Sequence, residues 1–221
     1  MFKKIFIFSI LLIISLFIIA AKINLNYCSM STAMKDNQQR NNCQIPLTEN
    51  WQIETWEDTQ GLTNVKFDSA NKHLILFANL EGKHKNLSKG EVFLDLRWIS
   101  LYCIDTLRQE NVNNFVNLSG KTLVVTLQIP KGFIGPKSAP NGIQLFAKSG
   151  DDFDAAYSTW QNVEKSGNIT FKFNLSKGPY GFKKPNYDAK NIASIGVKVA
   201  INSSSYYKFS GNLYLKSVLI E

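Results

Sequence analysis

The chain has 221 residues, a formal net charge of +8, 44% hydrophobic and 12% aromatic residues, three cysteines and two histidines. With an N-terminal export segment and a polar spacer set aside, this length leaves one domain, large enough to bury a core without staples. The lysines are spread singly along the chain instead of clustering on one helix or arm, which argues against nucleic acid as a partner, and neither histidine lies near a cysteine, which argues against a zinc site.

The first element is MFKKIFIFSILLIISLFIIAAK, with two lysines, an uncharged apolar run from Ile5 to Ala21 and small residues at its end. This is the pattern of a secretory signal over residues 1–21, and it directs the chain to a secreted, periplasmic or cell-surface location. Cleavage after Ala20 or Ala21 would leave Ile18 or Ile19 three residues upstream. An uncleaved N-terminal anchor therefore stays open as the one route to a membrane. Residues 22–48, rich in Asn, Gln and Ser, read as a spacer. Cys28 and Cys43 both lie in it and are placed to form a local disulfide, with Cys103 left buried as a small hydrophobe.

Residues 49–221 then read as a run of short strands. WQIETWED (Trp51 to Asp58) alternates bulky and polar residues as a first edge strand, GLTNVKFD follows, and HLILFANL from His73 is apolar almost throughout. GEVFLDLRWI alternates, with Val92, Leu94, Leu96 and Trp98 inward and Phe93, Asp95 and Arg97 outward; Leu101 to Phe115 holds the one helical turn. In TLVVTLQI, Leu123, Val125, Leu127 and Ile129 share one face while Val124, Thr126 and Gln128 share the other. After the loop KGFIGPKSAPNG, Ile143, Leu145 and Ala147 oppose Gln144, Phe146 and Lys148. An aromatic segment holding Tyr157 and Trp160 comes next, then NITFKFNL, a Gly/Pro/Lys loop over 177–190, IASIGVKVAIN with Lys198 and Asn202 outward, and a closing GNLYLKSVLIE. Eight to ten short strands with turns between them predict an all-β fold, a jelly-roll β-sandwich of two antiparallel sheets.

The succession SGKTLVVTLQIPKG, a Gly/Pro loop, NGIQLFAKS, a segment ending in Trp160, ITFKFNLS, NIASIGVKVA and GNLYLKSVLIE resembles the galactose-binding-like, jelly-roll carbohydrate-binding modules of bacterial glycoside hydrolases over about Trp51 to Glu221. The resemblance implies sugar binding on a concave sheet face. A saccharide ring has an apolar C–H face and a rim of hydroxyls, so flat aromatics beside paired hydrogen-bonding groups suit it. The outward faces offer Asp95, Arg97, Gln128, Gln144, Lys148 and Asn202, flanked by Tyr157 and Trp160, with Trp160 either platform or core. Tyr206 and Tyr207 could rim the cleft. The early acidic segment WEDTQG is similar to one that holds a structural calcium in such modules, which makes Glu57 and Asp58 candidate ligands. Lys216 stands where the last-strand aspartate is expected and would repel the ion.

No carboxylate pair is singled out for glycosidase chemistry and no GxSxG occurs, so the expected function is non-catalytic recognition of a polysaccharide or oligosaccharide. Two alternatives remain: a surface or periplasmic protein-interaction domain on the same sandwich, and a small polysaccharide lyase or glycosidase, for which His73 and His84 give a foothold.

Overall fold

A computed structural model of the chain describes residues 42–56, 58–108 and 114–221. The expected signal segment, Cys28, most of the spacer and Glu57 lie outside the described residues.

Period-two alternation makes the core. Leu123, Val125, Leu127 and Ile129 are buried, as are Ile143, Leu145 and Ala147 from a second strand and Ile195, Val197 and Val199 from a third. They lie on three of the thirteen strands formed, in chain order, by the described residues: β1 (Cys43–Ile45), β2 (Gln52–Ile53), β3 (Leu62–Asp68), β4 (His73–Glu81), β5 (Lys89–Asp95), β6 (Thr122–Ile129), β7 (Gly142–Ser149), β8 (Asp154–Ser158), β9 (Gln161–Asn162), β10 (Gly167–Asn174), β11 (Tyr180–Lys183), β12 (Ile192–Ala200) and β13 (Lys208–Ile220). A short helix, α1 (Tyr102–Asp105), lies between β5 and β6. One sheet runs β10-β6-β13-β4-β3 with β1 added against β13; the other runs β11-β8-β7-β12-β5-β2 with β9 added against β7. All named pairings are antiparallel, and the apolar faces of the two sheets meet in one core: a jelly-roll sandwich.

Four expectations change. The sandwich begins earlier than residue 49, because Cys43, Gln44 and Ile45 pair with Ile220, Leu219 and Val218. Being part of the sheet, Cys43 is joined to Cys103 in a disulfide spanning 60 residues, not to Cys28. Trp98 is 76% exposed instead of inward. The cause is local: the Asp95 carboxylate accepts a hydrogen bond from the Arg97 backbone N–H at 3.0 Å and caps a single 3-10 turn over Leu96–Trp98, which ends the strand's alternation after Leu96. Finally, the Gly/Pro/Lys loop contains β11, an edge strand on β8.

Candidate functional site

The outer face of the seven-stranded sheet is set by β12, whose outward residues Ser194, Gly196 and Ala200 are small. Registers place Gln52, Phe93, Gly196, Phe146, Tyr157 and Phe182 in one row across the sheet. The row on one side holds Glu91, Lys198 and Gln144, and beyond it lie Lys89, Ala200 and Gly142; the row on the other side holds Asp95, Ser194 and Lys148. Large neighbours lean over the small strand. A Cβ on Gly196 would come within 2.3 Å of the Phe146 ring, so the glycine is what lets that ring lie flat across β12.

Side chains of the domain itself close the middle of this face. Phe146 has 0% exposure, with Tyr157 at 5.2 Å between ring centroids and the Lys148 ammonium at 5.3 Å. Lys148, 7% exposed, forms an ion pair with Glu54 at 2.5 Å. The Tyr157 hydroxyl donates to both Glu91 carboxylate oxygens at 3.1 and 3.2 Å, and the Lys198 ammonium sits 3.9 Å from Glu91 and 5.0 Å above the Tyr157 ring.

Burial sets the protonation of this cluster. It pushes the Glu91 carboxyl above the ordinary glutamate range, an effect opposed by Lys198, Lys148 and the Tyr157 hydrogen bond. It pushes the Tyr157 phenol far up, reinforced by Glu91, so the hydroxyl keeps its proton and stays a donor. It lowers the Lys198 ammonium, with Glu91 opposing. A carboxyl whose folded pKa exceeds its unfolded value stabilises the fold fully below the unfolded value, about 4.3, and loses that contribution as pH rises through the folded value. The unfolding free energy of the wild type minus that of Glu91→Gln should therefore fall as pH rises above about 4.3, by no more than about 1.4 kcal/mol per pH unit. Urea titrations across that range measure it; a flat or rising difference would contradict the assignment.

At the Ala200 end the face is open. Trp160, just past β8, rests on Gly142, where a Cβ would come within 2.2 Å of the indole; the ring is 38% exposed. It walls a groove of about 540 Å³ whose lining includes Asp58, Lys85, Lys89, Lys198 and Asn202, with Ser88 and Ser203. Lys89 pairs with Asp58 at 2.5 Å, and this hydrogen bond holds the Asp58 carboxyl below its usual range. The Asn202 side-chain oxygen accepts from Ser204 N–H and O–H at 3.0 and 2.7 Å, building the turn that forms one wall.

Of the residues singled out in the sequence, Trp160, Asn202 and the candidate calcium ligand Asp58 border this groove, Asp58 as the partner of Lys89. Gln144, Lys148 and Tyr157 share the face but are engaged within it, Gln144 by donating to the Ser158 carbonyl at 2.8 Å. Asp95 and Arg97 lie at the far end as a bidentate pair, with N–H to oxygen distances of 3.0 and 2.7 Å, and the guanidinium stacks 4.9 Å from the Phe153 ring. Gln128 is on the outer face of the other sheet, between Asn168 and Tyr214, and cannot join a site with the rest. The expected continuous trough is thus reduced to its Trp160 end. His73 is also on that other sheet, edge-on to Tyr214 and 3.1 Å from the Lys216 ammonium. Among the described residues no group of three His, Cys, Asp or Glu could hold a metal.

Sequence reading missed Lys85, Lys89, Glu54 and Glu91, and set Lys198 aside although its outward register was visible. The segment from Lys83 to Lys89 carried a signal as the densest lysine group in the chain. Glu54 and Glu91 carried none, because their partners lie 94 and 66 residues away.

No family model and no curated protein matches the chain. Among solved structures it is similar to a xylan-binding module, CBM15, with 12% identity, TM-score 0.49, and coverage of 81% of this chain and 94% of that one. It is also similar to part of Xylanase10C from Cellvibrio japonicus in complex with xylopentaose, with 13% identity, TM-score 0.45, and coverage of 80% of this chain and 28% of that one. A third is the family 22 carbohydrate binding module of Clostridium thermocellum Xyn10B, with 10% identity, TM-score 0.39, and coverage of 80% and 90%.

Proposed function

We propose that this domain binds a polysaccharide or oligosaccharide, without a covalent step, in the groove beside Trp160. The observation that supports it is the half-open indole seated on Gly142 above a polar-lined groove of about 540 Å³. A flat ring offers its face to the C–H side of a sugar, while Asp58, Lys89, Lys198 and Asn202 supply acceptors and donors around its hydroxyls. Export by the N-terminal segment and the Cys43–Cys103 disulfide suit a protein working where such polymers are found. The lyase alternative gains nothing from Tyr157, which burial keeps protonated.

Affinity electrophoresis against soluble glucans, mannans, xylans and acidic polysaccharides tests the reading. Trp160→Ala should lose at least about tenfold in affinity, equivalent to about 1.4 kcal/mol. Gly142→Ala should weaken binding in the same direction, because the new methyl takes the space on which the indole rests. Retardation of both variants equal to that of the wild type, or no retardation of the wild type by any polymer, would defeat it.

A further inference from the structure

Three lysines, Lys85, Lys89 and Lys198, line the open groove against one acidic residue, Asp58, which Lys89 already holds. The face's other acidic groups are engaged elsewhere, Glu54 with Lys148, Glu91 with the Tyr157 hydroxyl and Asp95 with Arg97. Lys198 is the informative residue. Its side chain is largely covered, and its nearest carboxylate stands at 3.9 Å, beyond hydrogen-bonding distance. A cation kept in such a place at a desolvation cost, with its charge only partly compensated, suits an anion that completes it. Lys83, on the loop that carries Lys85, adds a fourth positive charge close by in sequence, its ammonium 3.8 Å from the centroid of the exposed Tyr206 ring.

We infer that the groove takes an anionic glycan, one bearing uronate carboxylates or sulfate esters, with the sugar ring on Trp160 and the acidic group between Lys85 and Lys198. This rests on the saccharide-binding reading and specifies its ligand class. A neutral glycan has no use for the excess charge, whereas a carboxylate or sulfate forms charge-assisted hydrogen bonds with ammonium groups. Binding should also weaken as salt rises, since part of the attraction is between partly exposed charges.

The test measures affinity for acidic polymers beside neutralised forms of the same backbone: polygalacturonate and its full methyl ester, alginate and carboxyl-reduced alginate, carrageenan and desulfated carrageenan. Single-stranded DNA serves as a non-saccharide polyanion. The expected result is tenfold or greater preference for at least one acidic member over its neutral form. That preference should be reduced about tenfold in Lys198→Gln and severalfold in the exposed-site variant Lys85→Ala, which carries no risk to the core. Equal binding of acidic and neutral forms, or lysine variants that bind as the wild type while Trp160→Ala fails, would overturn the anionic ligand and leave saccharide binding standing. Binding of no polysaccharide, or of DNA as tightly as any glycan, would overturn both.

Discussion

Lys148→Ala is expected to destabilise the domain by about 3–5 kcal/mol, although the residue is a lysine on the outer face of a sheet. The residue is 7% exposed, and its ammonium faces Glu54 at 2.5 Å and the rings of Phe93 and Phe146 at 5.6 and 5.3 Å. Removing it leaves the mostly buried Glu54 carboxylate without its cation, beside the second buried carboxyl of Glu91, and uncovers Phe146. Replacing both partners should cost far less, because the charge orphaned by the single change is gone: Glu54→Leu with Lys148→Met should recover most of the loss. Urea unfolding of the two single variants and the double variant measures the coupling. Single variants within about 1 kcal/mol of the wild type would mean the pair behaves as a solvated surface contact.

The second large effect is expected at the disulfide. Joining Cys43 to Cys103 closes a loop of about 60 residues, and the chain-entropy estimate for that length is about 4 kcal/mol. Locally, the bond ties β1, held to β13 over only three residues, to the short helix α1. Cys43→Ala with Cys103→Ala should therefore lower stability by about 2–5 kcal/mol, and reductant should do the same to the wild type while leaving the variant unchanged. A wild type insensitive to reductant would contradict the bond. Neither effect depends on the ligand, so both can be measured before a saccharide is found.

The amino-acid sequence alone determined the sandwich. Alternation at Leu123 to Ile129, Ile143 to Ala147 and Ile195 to Ile201 decides which faces are buried, since strand side chains change sides at each residue. It also marked Asn202 as outward and left Trp160 open between platform and core. What it could not determine was which strands share a sheet: Gln128 and Gln144 have the same local pattern, yet β6 and β7 lie in opposite sheets. Nor could it tell an outward residue that meets solvent from one that meets its neighbours. Lys148, Tyr157 and Gln144 share the outer face, but they pack against Glu54, Glu91 and Ser158. Those contacts join residues from 14 to 94 positions apart, and only the tertiary pairing of β5, β12, β7 and β8 brings them together. Periodicity is a property of one strand, whereas an open groove is what remains after several strands have filled the rest of the face.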